Sequence, residues 1–389
     1  MRRAAGDGAG AIGADDALVV RAMERFADQP LRRAPHIAVV FYDSIGDFVV
    51  TTPLLRGLRE KYAGCVIDYF GGERTRELEE ASALVDARFS LFGAPGCFRQ
   101  LPAFVETRVA AAGSYDLAVN CEAHPAARLA LSLIGPRYVV GSAYTDDLRG
   151  DLPQLSTRVD ALWQEQWNAA DLLERYGDVL ESQYIGELLC RLARVQTDYF
   201  RLEVPTTPPP GPVPDVLIAT GANRGAKLWP AAYWHAVVEW CAARGLTIGL
   251  LGSAPAQQAR FYHSVDVESW LLAETPLIDL RGRFTLPEVA GALQRARACL
   301  TIDNGIMHLA AAVGTATVAI FGGSPWRVWA PRVSNVRVLL PDAPCLRCEE
   351  NRFGNDACLL PEHLCMLGVP PGRVMAALED ALARATPAE

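Results

Sequence analysis

Leu300-Thr301-Ile302-Asp303-Asn304-Gly305-Ile306-Met307-His308-Leu309-Ala310-Ala311-Ala312-Val313-Gly314-Thr315 is the stretch on which the reading of the whole chain turns. An apolar, β-branched run (Ala298–Ile302) predicts a buried strand that ends in Asp303. Asn304-Gly305 turns the chain, and the pattern Ile306–Val313 predicts a helix that Gly314 stops. The first amides of such a helix lack intrahelical acceptors, and its dipole favours negative charge, so its start suits an anion. His308, on the first turn, could reach the same anion. Equally, His308 could be a satisfied core histidine and Asp303 an N-terminal cap. The small side chains Ala310–Ala312 let the helix lie close on its sheet.

Working outward, the same strand-then-helix alternation recurs on both sides. His36–Tyr42, Val66–Phe70, Leu117–Asn120 and Tyr138–Gly141 read as strands, with a helix over Ile45–Tyr62 and helical patterns at Ser156–Tyr176 and Tyr184–Val195. A short helix is expected over Asp16–Phe26, behind a loose Gly/Ala-rich start at residues 1–15. Val204–Pro214 is too rich in proline for helix or central strand and predicts a stiff linker. A second series follows: strands Val216–Thr220, Thr247–Leu251, Ala298–Ile302 and Ala316–Phe321, helices Pro230–Arg244 and Thr285–Arg297 (the latter with a Thr285/Glu288 capping box), and a last helix Gly372–Ala385. Alternating units of this kind imply an α/β protein with two doubly wound, Rossmann-like parallel sheets facing across a cleft. The expected divisions are an extension at 1–35, a first domain at 36–203, the linker at 204–214, a second domain at 215–370 with a cysteine-rich loop at 344–366, and a C-terminal helix at 371–389.

Composition narrows the function. The chain has 389 residues; 37 Lys and Arg against 45 Asp and Glu give a net charge of −8, which argues against a duplex nucleic-acid binder. No apolar run approaches the length of a membrane span; Ala126–Leu133 is core-sized. The start, Met1–Gly6, has an Arg pair without an apolar stretch behind it, so a cytoplasmic protein is expected, with its ten cysteines as thiols or metal ligands.

In open α/β sheets ligands sit beyond the carboxyl ends of the strands. After the first strand, Asp43-Ser44-Ile45-Gly46-Asp47 allows a tight approach at Gly46 and turns Asp47 towards the cleft, although Asp47 could merely complement the helix dipole. Thr220-Gly221-Ala222-Asn223-Arg224-Gly225-Ala226-Lys227 offers small residues and two cations before a helix, suited to phosphate oxygens or simply solvated. It lacks the Gly-Lys-Ser/Thr ending of a Walker loop. Gly252-Ser253-Ala254-Pro255 and Gly322-Gly323-Ser324-Pro325 complete four small-residue loops along one sheet edge, an arrangement fit for a nucleotide diphosphate.

These residues together resemble glycosyltransferase family nine, the ADP-heptose:lipopolysaccharide heptosyltransferases. The resemblance rests on Asp43–Asp47 with Thr51-Thr52-Pro53-Leu54, Tyr115–Asn120, Lys227-Leu228-Trp229-Pro230, Asp303–Gly305 with His308–Ala311, and Phe321–Pro325 with Trp329-Ala330-Pro331, and it runs from about His36 to the C-terminus. It implies a GT-B fold, the acceptor in the first domain, the sugar nucleotide (ADP-heptose or a relative) in the second, and an inverting transfer without a catalytic metal. Asp47 would be the general base. Lys227, Thr220, Asn223, Gly252, Ser253, Asp303, Asn304, Gly305 and His308 would bind the donor. Ser44, Asn120, Glu122 and His124 are candidates for the acceptor, although Glu122 and His124 read equally as a solvated loop with a helix cap. The chemistry fits independently: inversion needs a carboxylate to take the acceptor proton, and the departing diphosphate needs cations and amides aimed at it. Two departures stand out. Asn304 replaces a frequent Thr, and the Gly252-Ser253 loop carries Gln257 and Gln258 where the family usually has a Glu that holds the ribose.

Cys345, Cys348, Cys358 and Cys365 fall within 21 residues, with His363 as a substitute, and could close a structural Zn or Fe site or simply pack a loop as thiols. The acceptor could be a sugar, a small molecule or a protein; the −8 charge disfavours an anionic membrane surface, and an oligomer is possible. Other readings are the same fold with another nucleotide sugar, or a non-catalytic sugar-nucleotide-binding scaffold.

Overall fold

The computed structural model describes residues 22–343 and 345–384. Twelve strands form two six-stranded sheets, every named pair parallel. In the front sheet, β1 (Glu24–Arg25), β2 (His36–Val40), β3 (Val66–Gly72), β4 (Ala87–Phe92), β5 (Leu117–Asn120) and β6 (Tyr138–Gly141) lie in the order β1-β6-β5-β2-β3-β4. In the back sheet, β7 (Val216–Ala219), β8 (Ile248–Leu250), β9 (Ile278–Asp279), β10 (Ala298–Ile302), β11 (Thr317–Ile320) and β12 (Val336–Leu339) lie in the order β12-β11-β10-β7-β8-β9. The two orders are equivalent. In each sheet the strand order reverses beside the first βα strand, between β2 and β5 in front and between β7 and β10 behind. A ligand crevice belongs at such switch points.

The central strands carry apolar residues on both faces because helices cover both. His36–Val40 and Ala298–Ile302 are buried throughout. The helix Ile45–Lys61 is buried from Gly46 to Leu58, an unusual length of continuous burial. It packs on the front sheet, with Phe48 against Tyr69, on the helix Ile185–Leu192 and, at its start, on the back-lobe helix Gly305–Ala312. Leu54 and Leu55 are fully enclosed; each such side chain contributes about 1.5–3 kcal/mol.

The chain passes between the lobes through the Pro-rich segment. On the front side, Arg56 donates to the Arg201 carbonyl at 2.8 Å and to Glu203 at 3.0 Å, and the Glu203 amide donates to Thr52 Oγ1 at 3.0 Å. On the back side, the Thr207 amide donates to the Pro287 carbonyl at 2.9 Å, and the Thr207 carbonyl lies where a Cβ on Gly291 would stand. The helix Pro371–Arg384 packs on the helix Ala231–Ala242 and on β10 and β11, within the back lobe.

Some expectations change. Of the helix expected over Asp16–Phe26, residues 16–21 lie outside the described region, as does the loose start at 1–15. Glu24–Arg25 is instead a strand beside β6, where it uses backbone groups that an edge leaves open, and Met23 and Phe26 are buried. Ser156–Tyr176 breaks into short helices at Arg158–Ala161 and Leu172–Tyr176 and a 3₁₀ turn at Leu162–Gln164. Gln183 Nε2 donates to the Trp167 and Ala169 carbonyls and fixes the intervening loop. The edge strands β4, β9 and β12 have no counterpart in the sequence reading, because half-exposed edges lack the continuous apolar run that marks a central strand.

Candidate functional site

The helix after β2 starts at Ser44, whose side chain accepts from the Asp47 amide and whose hydroxyl donates to Asp47 Oδ2 at 2.5 Å. Asp47 is 9% exposed. Burial pushes its carboxyl up to about 7; the Ser44 hydrogen bond opposes this and the negative charge of Glu122 adds to it.

Across the cleft, Lys227 ends the short turn Gly225–Lys227 and its ammonium lies 2.7 Å from Asp303 Oδ2. Burial works against a charge on Asp303, but Lys227 and, behind it, His308 outweigh burial and hold the carboxyl below its usual value. His308 is buried, which pushes its imidazole down to about 4, so it is neutral at pH 7; its Nδ1 has no hydrogen-bond partner among the described residues. The two helix starts touch. A Cβ on Gly46 would stand 3.0 Å from His308 Cδ2, and one on Gly305 would stand 2.6 Å from Ile45 Cβ. Glycine is what permits this approach.

Two cavities of about 300 Å³ each open at this junction. One holds Asp47, Lys227, Asp303, Asn304, Gly305 and His308, with Tyr42, Asn223 and Trp329. The other runs along Gly252, Ser253, Gln257, Gln258, Phe261 and Phe284. The structure therefore brings together the front-lobe carboxylate and the back-lobe cation that the sequence reading set facing each other.

Other expected residues are engaged elsewhere. Thr220 is buried and donates to Glu268 Oε1 at 2.9 Å, away from both cavities. The Asn304 side chain caps its helix, accepting from the amides of Ile306 and Met307, and donates to the Gly221 carbonyl at 3.0 Å. Two of the first-turn amides expected for an anion are thus already satisfied. Asn120 donates to the Ser142 carbonyl and accepts from the Glu122 amide; it shapes the loop rather than lining either cavity. Glu122 accepts from the amides of Ala123 and His124, and His124 caps the helix Pro125–Ile134. Their part in the site is indirect, through the Glu122 charge felt by Asp47.

Arg224 lines the cavity of Asp47 and Lys227 and also fastens a loop, donating to the carbonyls of Phe353, Asn355 and Gly323. The Ala226 amide donates to the Asp356 carbonyl, and His363 Nε2 bonds the Ala226 carbonyl at 2.8 Å. The cysteine-rich loop therefore buttresses the Lys227 turn. Among the described residues no group of three or more His, Cys, Asp or Glu is placed to hold a metal ion, so of the two readings of Cys345, Cys348, Cys358 and Cys365 the structural Zn or Fe site is not supported. The thiols have other neighbours. Cys348 accepts from Asn355, Cys358 donates to the Glu362 carbonyl, and Cys365 is buried in the back-lobe core. Burial, then the other three thiols, push Cys365 up to about 12.

Residues missed by the sequence reading include Arg74 and Tyr262, which line both cavities, and the buried Glu268. Glu268 accepts from Thr220, Gln258, Ser264 and Arg281, and so fixes the Gln258 loop from below. Tyr262 and Glu268 lie at and within helices, away from any strand end, whereas Arg74 follows the Gly71-Gly72 end of β3, the same signal that located the others.

Known proteins share this architecture. The sequence model of glycosyltransferase family 9 (heptosyltransferase) matches residues 180–355. Lipopolysaccharide heptosyltransferase 1 of Pseudomonas aeruginosa is 31% identical over 178 residues, 43% of this chain; the match spans about half (48%) of that relative's length. Lipopolysaccharide heptosyltransferase 3 of Escherichia coli is 22% identical over 307 residues, 75% of this chain and 84% of that one. Among solved structures, a glycosyl transferase family 9 protein of Veillonella parvula superposes with a TM-score of 0.65 at 17% identity, covering 91% of this chain and 99% of its own. The E. coli heptosyltransferase WaaC with ADP-2-deoxy-2-fluoro heptose gives 0.57 at 16%, covering 89% and 99%. The fold is GT-B.

Proposed function

We propose that this chain, which is similar to the heptosyltransferases of glycosyltransferase family 9, is an inverting glycosyltransferase that moves a heptose from an ADP-sugar to an acceptor hydroxyl. The observation that carries the reading is one cavity holding Asp47 from the front lobe and the Lys227–Asp303 pair from the back. A WaaC structure bound to an ADP-heptose analogue supports the donor class. Asp47, once ionised, takes the hydroxyl proton as the acceptor oxygen attacks the anomeric carbon; the bond from that carbon to the diphosphate oxygen breaks, and the sugar inverts. Charge then accumulates on the leaving diphosphate. Lys227 and the amides at Asn304 and Gly305 meet it, so in this reading no divalent ion is required. Asp303 holds Lys227 in place and faces the sugar. We assign the front lobe to the acceptor, the back lobe to the donor, and the protein, with its free cysteines, to the cytoplasm.

One observation favours another nucleotide. Gln258, in the loop where the family's ribose-holding Glu is expected, turns its amide inward to Glu268 and Ser264 and accepts from the Ser253 amide. The test is a thermal-shift and transfer panel of ADP-, GDP-, UDP- and TDP-sugars on the wild type and on Asp47→Ala. The reading expects one nucleotide class to bind both proteins and only the wild type to turn it over. Equal turnover by Asp47→Ala removes Asp47 as base.

A further inference from the structure

The two cavities meet at six shared residues: Ser44, Ile45, Arg74, Tyr262, Asn304 and Gly305. Of these, only Arg74 carries a charge. It follows β3 in the front lobe, yet its guanidinium lies 5.1 Å from the centre of the Phe261 ring in the back lobe, beside the Tyr262 hydroxyl. Its placement is built from beneath. Asp43 accepts from the Arg74 amide at 2.7 Å through Oδ1 and from Nε at 3.1 Å through Oδ2, so one carboxylate fixes both the backbone and the head group. Asp43 is 6% exposed and sits where Cβ on Gly72 would stand. The Arg74 side chain keeps 21% of its surface open.

A cation serving only to hold the lobes together would pair with a carboxylate of the opposite lobe. Arg74 instead makes its ion pair within its own lobe and offers the opposite lobe aromatic rings. Its charged end is left at the point where the nucleotide cavity passes into the cavity of Asp47 and Lys227. In a sugar nucleotide, the group between nucleoside and sugar is the diphosphate, and the planar guanidinium fork matches phosphate oxygens two at a time.

We propose that Arg74 binds the donor diphosphate from the acceptor-side lobe, so that the leaving group is gripped by a cation from each lobe, Arg74 in front and Lys227 behind. This rests on the donor reading above. It adds that the diphosphate itself ties the lobes together, and that a nucleoside lacking it does not.

The test measures binding of ADP and of adenosine to wild type, Arg74→Gln and Arg74→Lys by calorimetry, with transfer kinetics alongside. The expected result is a tenfold or greater loss of ADP affinity in Arg74→Gln, adenosine affinity unchanged, a smaller ADP loss in Arg74→Lys, and a fall in kcat. A merely structural role would move both ligands together or neither. If the wild type prefers ADP to adenosine and Arg74→Gln keeps the same ratio, the inference falls and the donor reading stands. Should the Gln variant not fold, Arg74→Lys decides: an ADP/adenosine ratio equal to that of the wild type overturns the proposal. If the wild type binds ADP no better than adenosine, and GDP, UDP and TDP do no better, both fall.

Discussion

Asp47 and Asp303 stand on opposite sides of one cavity, each at the start of a helix that follows a central strand, and are 9% and 5% exposed. Burial raises both carboxyls, yet Asp47 ends near 7 and Asp303 below its ordinary value. The partner makes the difference. A neutral hydroxyl at 2.5 Å does not offset the loss of water around Asp47; an ammonium at 2.7 Å does so for Asp303. One carboxylate is left ready to accept a proton near neutrality, and the other is locked as an anion that positions a cation.

The largest break in this contrast is Asp47→Ala, expected to lower kcat by about 10³-fold, the scale of a lost general base. In the wild type the rate should climb as pH rises through about 7 and Asp47 ionises, and the residual rate of Asp47→Ala should lack that limb. Lys227→Met comes next. It strands Asp303 as an unpaired buried charge and should cost about 3 kcal/mol of stability in urea unfolding, as well as about 10²-fold in kcat. Adding Asp303→Asn should restore most of the stability and little of the rate. Asp47→Asn sharpens the comparison from the other side. The folded protein holds the Asp47 proton up to about 7, against an ordinary value of 3.8, so ionisation penalises the native state increasingly from pH 4 to pH 7. The variant should therefore be more stable than wild type by up to about 4 kcal/mol at pH 8, the difference vanishing towards pH 4. Gly46→Ala should have the smallest effect: its Cβ presses on His308 and should lower stability by about 1 kcal/mol, read as a drop in Tm.

The switch-point residues were legible because their chemistry and their structure share one signal. A buried strand, a glycine turn and a polar side chain mark Asp47 and Asp303 in a few consecutive residues. Lys227 was legible as a cation in a small-residue loop, whereas Arg224 nearby carries the same signal and also fastens a distant loop. Distinguishing the two requires knowing where residues 353–363 fold back, a separation of over a hundred positions. The cysteine spacing was legible as a cluster, since Cys345, Cys348 and Cys358 all act on Cys365, but spacing alone does not separate a metal site from thiols that pack a loop. Arg74, Glu268 and the cap role of Asn304 depend on which neighbouring strand or lobe faces them, and periodicity does not report that.

The crossing segment has a mechanical consequence. Everything through Glu203 is fastened to the front lobe, and everything from Thr207 to the back. With the last helix confined to the back lobe, any opening of the cleft must be taken up by the dihedrals of Val204, Pro205 and Thr206. Proline fixes one of those six angles near −65° and biases its neighbour Val204 towards extended conformations. Any opening is thus confined to a pivot three residues long with few soft torsions, which restricts it to a narrow arc.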